Sequence, residues 1–157
     1  MKKLNYLLSA VVLLAVLVTV GCSKDDGPGI TPEQAVTDRL SKSWDISSAT
    51  LDNQDISDLT GLTLTINDAL GYTTNSTSVA RTPNPWPVGG SWAFVDEITD
   101  AADTSFSIRR DDEINIVVAL TDTSLTLSFT FDDAIHKGST GKEEALSGDW
   151  VFVFTAQ

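Results

Sequence analysis

From Ser43 to the C-terminus, apolar residues recur at every second position, the period of a strand with one face buried and the other in water. Eight such runs are present: Ser43–Leu51, Leu62–Ile66, Tyr72–Ser76, Ser91–Val95, Ser105–Arg109, Ile114–Leu120, Ser124–Phe131 and Asp149–Thr155. Leu62, Leu64 and Ile66 share a face, as do Trp92 and Phe94, and Phe106 and Ile108. The inward set continues with Ile114, Ile116, Val118 and Leu120, then Leu125, Leu127, Phe129 and Phe131, and finally Trp150, Phe152 and Phe154. Threonine and serine fill the opposite positions, as water on the other face requires. The links Asn67-Asp68, Arg110-Asp111-Asp112-Glu113 and Thr121-Asp122-Thr123 are short and made of turn residues, and short links join antiparallel neighbours. No helical pattern long enough for a parallel crossover lies between the runs. The expected fold is therefore all-β, an eight-stranded antiparallel meander that either closes on itself or splits into two packed sheets. Two longer insertions, Ala80–Gly90 with Pro83, Pro85 and Pro87 around Trp86, and Asp132–Ser147 with His136, are expected over an end or rim.

Ahead of the first strand, Thr31-Pro32-Glu33-Gln34 has the form of a capping box with proline at the first helical position. A short helix to about Leu40 follows. It carries Ala35, Val36 and Leu40 near one face, enough to plug one end of a β structure but not to build a helical core.

The N-terminus is of another kind. Lys2 and Lys3 precede an apolar run from Leu7 to Val20, shorter than the roughly 20 residues of a spanning helix and without a basic stop-transfer flank. That is an export signal, residues 1–21. Its end, Thr19-Val20-Gly21-Cys22, resembles the lipobox of bacterial lipoproteins, whose cysteine is acylated and becomes the first residue. Cys22 is the only cysteine, so neither a disulfide nor a thiolate metal site is available to it, and its place between an apolar run and a polar stretch is no packed core. Residues 22–30 read as an acylated cysteine and flexible tether, and 31–157 as one β domain. Lys24-Asp25-Asp26 resembles the surface-export signal of Bacteroidota lipoproteins, which places the protein on the outer membrane, exposed at the cell surface.

Charge narrows the partners. The chain carries a net −12, and loss of Lys2 and Lys3 takes the mature domain to about −14. Such a field repels nucleic acid and anionic lipid, so the expected membrane partner is the bilayer reached through Cys22, with no nucleic-acid partner.

Leu40-Ser41-Lys42-Ser43-Trp44, Leu51-Asp52-Asn53-Gln54-Asp55, Gly61-Leu62-Thr63-Leu64-Thr65-Ile66 and Gly90-Ser91-Trp92-Ala93-Phe94 resemble the lipocalin-like lipoprotein domains of Bacteroidota, from about Leu40 to the C-terminus. The run Leu120-Thr121-Asp122-Thr123-Ser124-Leu125-Thr126-Leu127-Ser128-Phe129 adds to the likeness. In lipocalins a short helix precedes a first strand bearing Gly-x-Trp, whose tryptophan packs across the closed end of an eight-stranded barrel. Trp44 matches that tryptophan, while Lys42 stands at the glycine position and no signature arginine is assigned. The resemblance implies a lipocalin-like barrel or half-open barrel, not a substrate.

Chemistry-bearing residues are sparse. His136 alone titrates near neutral pH, and it lies in a Lys-Gly-Ser-Thr-Gly loop. The pairs Asp96-Glu97, Asp111-Asp112 and Asp132-Asp133 sit at strand ends or turns, where backbone hydrogen bonding explains aspartate. Asp52–Asp58 and Asp96–Asp103 offer oxygen ligands of the kind calcium takes, yet neither has the spacing and central glycine of a helix-loop-helix calcium loop. No enzyme activity, metal or cofactor is expected. Trp86, framed by prolines, either marks a contact surface or folds back over a barrel mouth as a lid. Trp44, Trp92 and Trp150 read as core. Trp86, Trp92 and Tyr72 are the candidate ligand-binding residues, for a small apolar or sugar ligand. The alternative is a structural or adhesin-like β-sandwich module that presents loops to a protein or glycan.

Overall fold

Thr31 caps the first element, α1 (Pro32–Leu40), in a computed structural model that describes residues 29–80, 85–132 and 146–157. Its Oγ1 accepts a hydrogen bond from the Gln34 N–H at 3.1 Å, and Pro32 opens the helix where no N–H is needed. Only this half of the capping box forms. The Gln34 side-chain amide donates to Asp38 Oδ1 at 2.7 Å, one turn further on. Thr37, not Ala35, joins Val36 and Leu40 on the buried face, and Ala35 is half-buried.

The rest is one antiparallel sheet: β1 (Ser43–Leu51), β2 (Gln54–Asp55), β3 (Thr63–Ile66), β4 (Gly71–Thr74), β5 (Gly89–Phe94), β6 (Ser105–Arg110), β7 (Asn115–Leu120), β8 (Ser124–Phe131) and β9 (Gly148–Ala156). From β3 to β9 each strand pairs with the next, and β1 joins the two ends by pairing with both β3 and β9. The result is a closed eight-stranded barrel; the two-sheet sandwich is not formed. β2 is an addition that the alternation does not reveal, being two residues long. It folds back on β1 through Asp52 and Asn53, whose φ values of 49° and 64° are those of a tight hairpin turn.

A register shift between Ile46 and Ser48 lets β1 bend. Its first residues pair with β3 and its last with β2, while its other edge stays on β9 from Trp44↔Ala156 to Leu51↔Trp150. The predicted alternation is the observed one along β7, β8 and β9, where every second residue is buried. Ile114 lies outside β7 and is only half-buried, as are Phe94 and Phe106 near the end and start of their strands.

Up-and-down order decides what meets at each end. α1 and residues 67–70, 95–104 and 121–123 gather at one end; residues 52–62, 75–80, 85–88 and 111–114 gather at the opposite mouth. At the α1 end Trp44 is fully buried and its indole N–H donates to the Leu40 carbonyl at 3.0 Å, tying helix to strand. Lys42 Nζ stands 5.1 Å from the Trp44 ring, and Arg39 Nη1 donates to the Asp103 carbonyl at 2.8 Å. In the interior, Trp150, Phe152 and Phe154 of β9 stack with interplanar angles of 17° and 15°, and Phe129 of β8 stacks on Phe152 at 5.7 Å.

Phe152 touches more of this aromatic column than any other ring, so Phe152→Ala is expected to cost about 3–5 kcal/mol in denaturant unfolding. Trp44→Phe keeps an aromatic ring but loses the bond to Leu40 and the bulk of the indole's second ring in a fully buried site, an expected cost of about 2–3 kcal/mol. A loss under about 1 kcal/mol for Phe152→Ala would show that the column repacks and is not the centre of the core.

Candidate functional site

β4, β5 and β6 carry the inward-facing Tyr72, Trp92 and Arg110 to the mouth opposite α1, and the connection from β4 to β5 brings Trp86 in from above. The three predicted ligand-binding residues therefore meet. Tyr72, Trp86 and Trp92 all line one cavity in the barrel, with Arg110 on the same wall and Leu40 of α1 at its other side. The free volume is about 20 Å³, which accommodates a water molecule and little more.

Trp86 accounts for that small volume. It is 4% exposed, so of the two placements open to it the lid is realised and the exposed contact surface is not. Its ring lies edge-to-face against Tyr72, Phe129 and Phe152, each with centroids 5.8 Å apart. Pro85 is buried beside it, and Thr74 Oγ1 donates to the Pro87 carbonyl at 2.7 Å, which holds the far side of the turn to β4.

Arg110 is the residue that sequence reasoning passed over. It is 2% exposed, a buried cation in an apolar interior. Its Nε donates to Asp112 Oδ1 at 3.0 Å and its Nη2 to Asp112 Oδ2, a two-pronged ion pair within one turn. Nη1 donates to the Pro85 carbonyl at 3.0 Å, and the guanidinium lies 5.0 Å from the Trp86 ring and 5.6 Å from Phe129. One side chain thus clamps both the backbone and the ring of the Trp86 turn. A signal for it existed: Phe106 and Ile108 point inward, and the same period of two continues to Arg110, with an aspartate two residues on.

Two polar atoms at the site have no hydrogen-bond partner among the described residues, Tyr72 Oη and Trp92 Nε1. Burial pushes the Tyr72 phenol from 10 up to about 12; the Arg110 guanidinium pulls the other way, and Asp111 and Asp112 add to the rise. Gly90 permits the close approach of β5, since a Cβ there would fall 2.7 Å from the Asp111 carboxylate and 2.8 Å from Tyr72 Oη.

The other candidates among the described residues are exposed or serve as structure. Asp111 Oδ2 accepts from the Ser91 N–H at 3.1 Å and Asp112 is bound to Arg110, so that pair holds the turn together. Asp96 and Glu97 are exposed, and Asp132 is exposed at the end of β8. In the two oxygen-rich segments, Asp52 Oδ1 accepts from the Asp149 N–H and Asp100 Oδ1 from the Ala102 N–H, both at 2.8 Å. Among the described residues no three His, Cys, Asp or Glu side chains converge as a metal site. Cys22, Pro83, Asp133 and His136 lie outside the described residues. Comparison with protein-family models, with curated proteins and with solved structures found no match to this chain.

Tyr72 and Arg110 should respond in opposite ways to removal. Arg110→Met takes the guanidinium from the Asp112 carboxylate and the clamp from Trp86, an expected loss of about 3 kcal/mol in chemical unfolding. Tyr72→Phe removes an unpaired buried hydroxyl and is expected to leave neutral-pH stability within about 1 kcal/mol of the parent or raise it. A phenol whose folded pKa is raised contributes stability that is complete below pH 10 and is lost as pH climbs through about 12. The Tyr72→Phe variant should lack that part of the alkaline decline; identical stability curves from pH 9 to 12 would refute the assignment.

Proposed function

We propose that this chain is a lipid-anchored binding protein of the outer membrane, acylated at Cys22, exposed at the cell surface and not an enzyme, whose lipocalin-like barrel takes a small apolar or sugar ligand at the mouth occupied by Trp86. The observation that carries the ligand-binding part is the set of buried polar groups on one interior wall: Tyr72 Oη and Trp92 Nε1 without partners among the described residues, next to the buried Arg110. Each unpaired buried donor costs about 1–3 kcal/mol, which a core shaped for stability alone sheds by substituting an apolar side chain. Retained at a cavity, they supply the few polar contacts by which a largely apolar site orients a ligand. The free volume of about 20 Å³ requires the Trp86 ring to yield its place to the ligand.

The anchor reading rests on the N-terminal pattern alone: a basic start, a short apolar run and a lone Cys22 before an acidic tether. Two or three acyl chains on that cysteine hold a soluble domain stably at a bilayer, where one binds only marginally. The net charge of −12 argues against nucleic acid as a partner.

The filled interior favours a second reading, in which the barrel is a rigid support and the mouth loops contact a protein or glycan. A thermal-shift panel of small aromatic, aliphatic and sugar molecules on the full chain separates the two. The first reading expects one class to raise the melting temperature in proportion to its excess over Kd, and expects Tyr72→Phe to reduce that rise without loss of stability. No shift from any class favours the loop reading.

For the anchor, Cys22→Ser is expected to move the protein from the detergent phase to the aqueous phase in detergent partitioning and to abolish incorporation of labelled fatty acid. Aqueous partitioning of the parent protein in its native bacterium would overturn the lipoprotein assignment.

A further inference from the structure

Whatever enters the barrel mouth must take over the contacts that Pro85 and Trp86 make there now, so this dipeptide describes the occupant. The indole fills a slot in which three aromatic rings, Tyr72, Phe129 and Phe152, stand nearly perpendicular to it, with the Arg110 guanidinium 5.0 Å from the ring centroid. Edge-to-face contact on three sides with a cation beside the ring selects a flat aromatic system, because the rings meet a π-face and the guanidinium is drawn to the ring quadrupole. A saturated sugar or an alkyl chain offers neither.

The polar end of the slot is equally specific. Arg110 has its Nε and Nη2 committed to both oxygens of Asp112, so its positive charge is already matched, and only Nη1 faces the occupant. What Nη1 meets today is an uncharged acceptor, the Pro85 carbonyl, at 3.0 Å. A carboxylate or phosphate in that position would add a second negative charge to a neutralised pair, with Asp111 also close by at the Gly90 end of the site. It would gain little from Arg110 and be repelled by both aspartates. Resting on the reading of the mouth as a ligand site, we infer that its ligand class is an uncharged, flat aromatic compound of about indole size bearing a carbonyl or amide oxygen, and that Pro85-Trp86 is the chain's own stand-in for it.

Trp86→Ala in the full chain vacates the ring slot, and an apolar hole of this kind takes up small aromatic molecules. Calorimetric titration at neutral pH with indole, indole-3-carboxamide and indole-3-carboxylate reads the ranking. The expected order places the carboxamide roughly fivefold tighter than indole, the worth of one net hydrogen bond to the second Nη1 hydrogen, since the Pro85 carbonyl persists in the variant and takes only one. The carboxylate is expected roughly tenfold weaker than the carboxamide, and all three should bind the parent chain at least about tenfold more weakly than the variant, since its own ring must be displaced. Should Trp86→Ala not fold unaided, the same order is read from which probe restores a cooperative melting transition. A carboxylate that binds or rescues as well as the carboxamide overturns the uncharged-ligand inference and leaves the binding site itself standing. Failure of all three probes to bind or rescue the variant overturns both this inference and the ligand-binding reading of the barrel.

Discussion

Eight strands in a single sheet expose a row of unpaired N–H and C=O groups at each edge unless the first strand meets the last. Here β1 meets β9 from Trp44↔Ala156 to Leu51↔Trp150, and its bend after Ile46 lets its opposite edge serve β3 and β2 in turn. That closure sets the width of the interior, and an interior of set width has to be filled from within. The aromatic column of Trp150, Phe152, Phe154 and Phe129 fills the side nearest the seam, α1 with Leu40 stops one end, and Trp86 stops the other. Each follows from the seam, because an open sheet would have no inside for a loop tryptophan to occupy.

The Trp86 end is the part of the core that is not simply apolar. A buried guanidinium is tolerable only where its donors and charge are met, and Arg110 meets them with Asp112, the Pro85 carbonyl and two aromatic faces. The chain thus folds a polar cluster into a position where leucine or phenylalanine would pack without such conditions. Tyr72 and Trp92 lie on the same wall with polar atoms unpaired among the described residues. Polarity that stability does not call for, gathered at the barrel end where Trp86 of the β4–β5 connection is seated, is the physical basis on which the ligand proposal stands.

The two ends differ in how they are shut. At the α1 end a regular helix caps the barrel, Trp44 is bonded to Leu40, and Arg39 reaches the carbonyl of Asp103 across the rim. At the mouth, among the described residues, a turn framed by Pro85 and Pro87 is held by Arg110. A helix end welded by its own residues suits permanent closure; a single side chain seated in an aromatic slot can be replaced by another ring.

Period two in the sequence determined which residues face inward, from Leu64 on β3 to Phe154 on β9, because in a strand the side-chain direction is a local property of the backbone. The antiparallel order followed from short links and the helix start from Thr31 and Pro32, both matters of neighbouring residues. The helix face and the capping partner of Gln34 were less legible, since both turn on which side of α1 meets the barrel. Barrel against sandwich was not legible in the alternation and was only implied by the lipocalin-like resemblance: it depends on whether β1 reaches β9, about 100 positions away in the chain, and no local pattern encodes that contact. The seat of Trp86 and the burial of Arg110 were decided at the same level. Local rule leaves a tryptophan between prolines open to surface or lid and puts an arginine at a strand end on the surface; only a closed barrel with room at its mouth brings the two together inside.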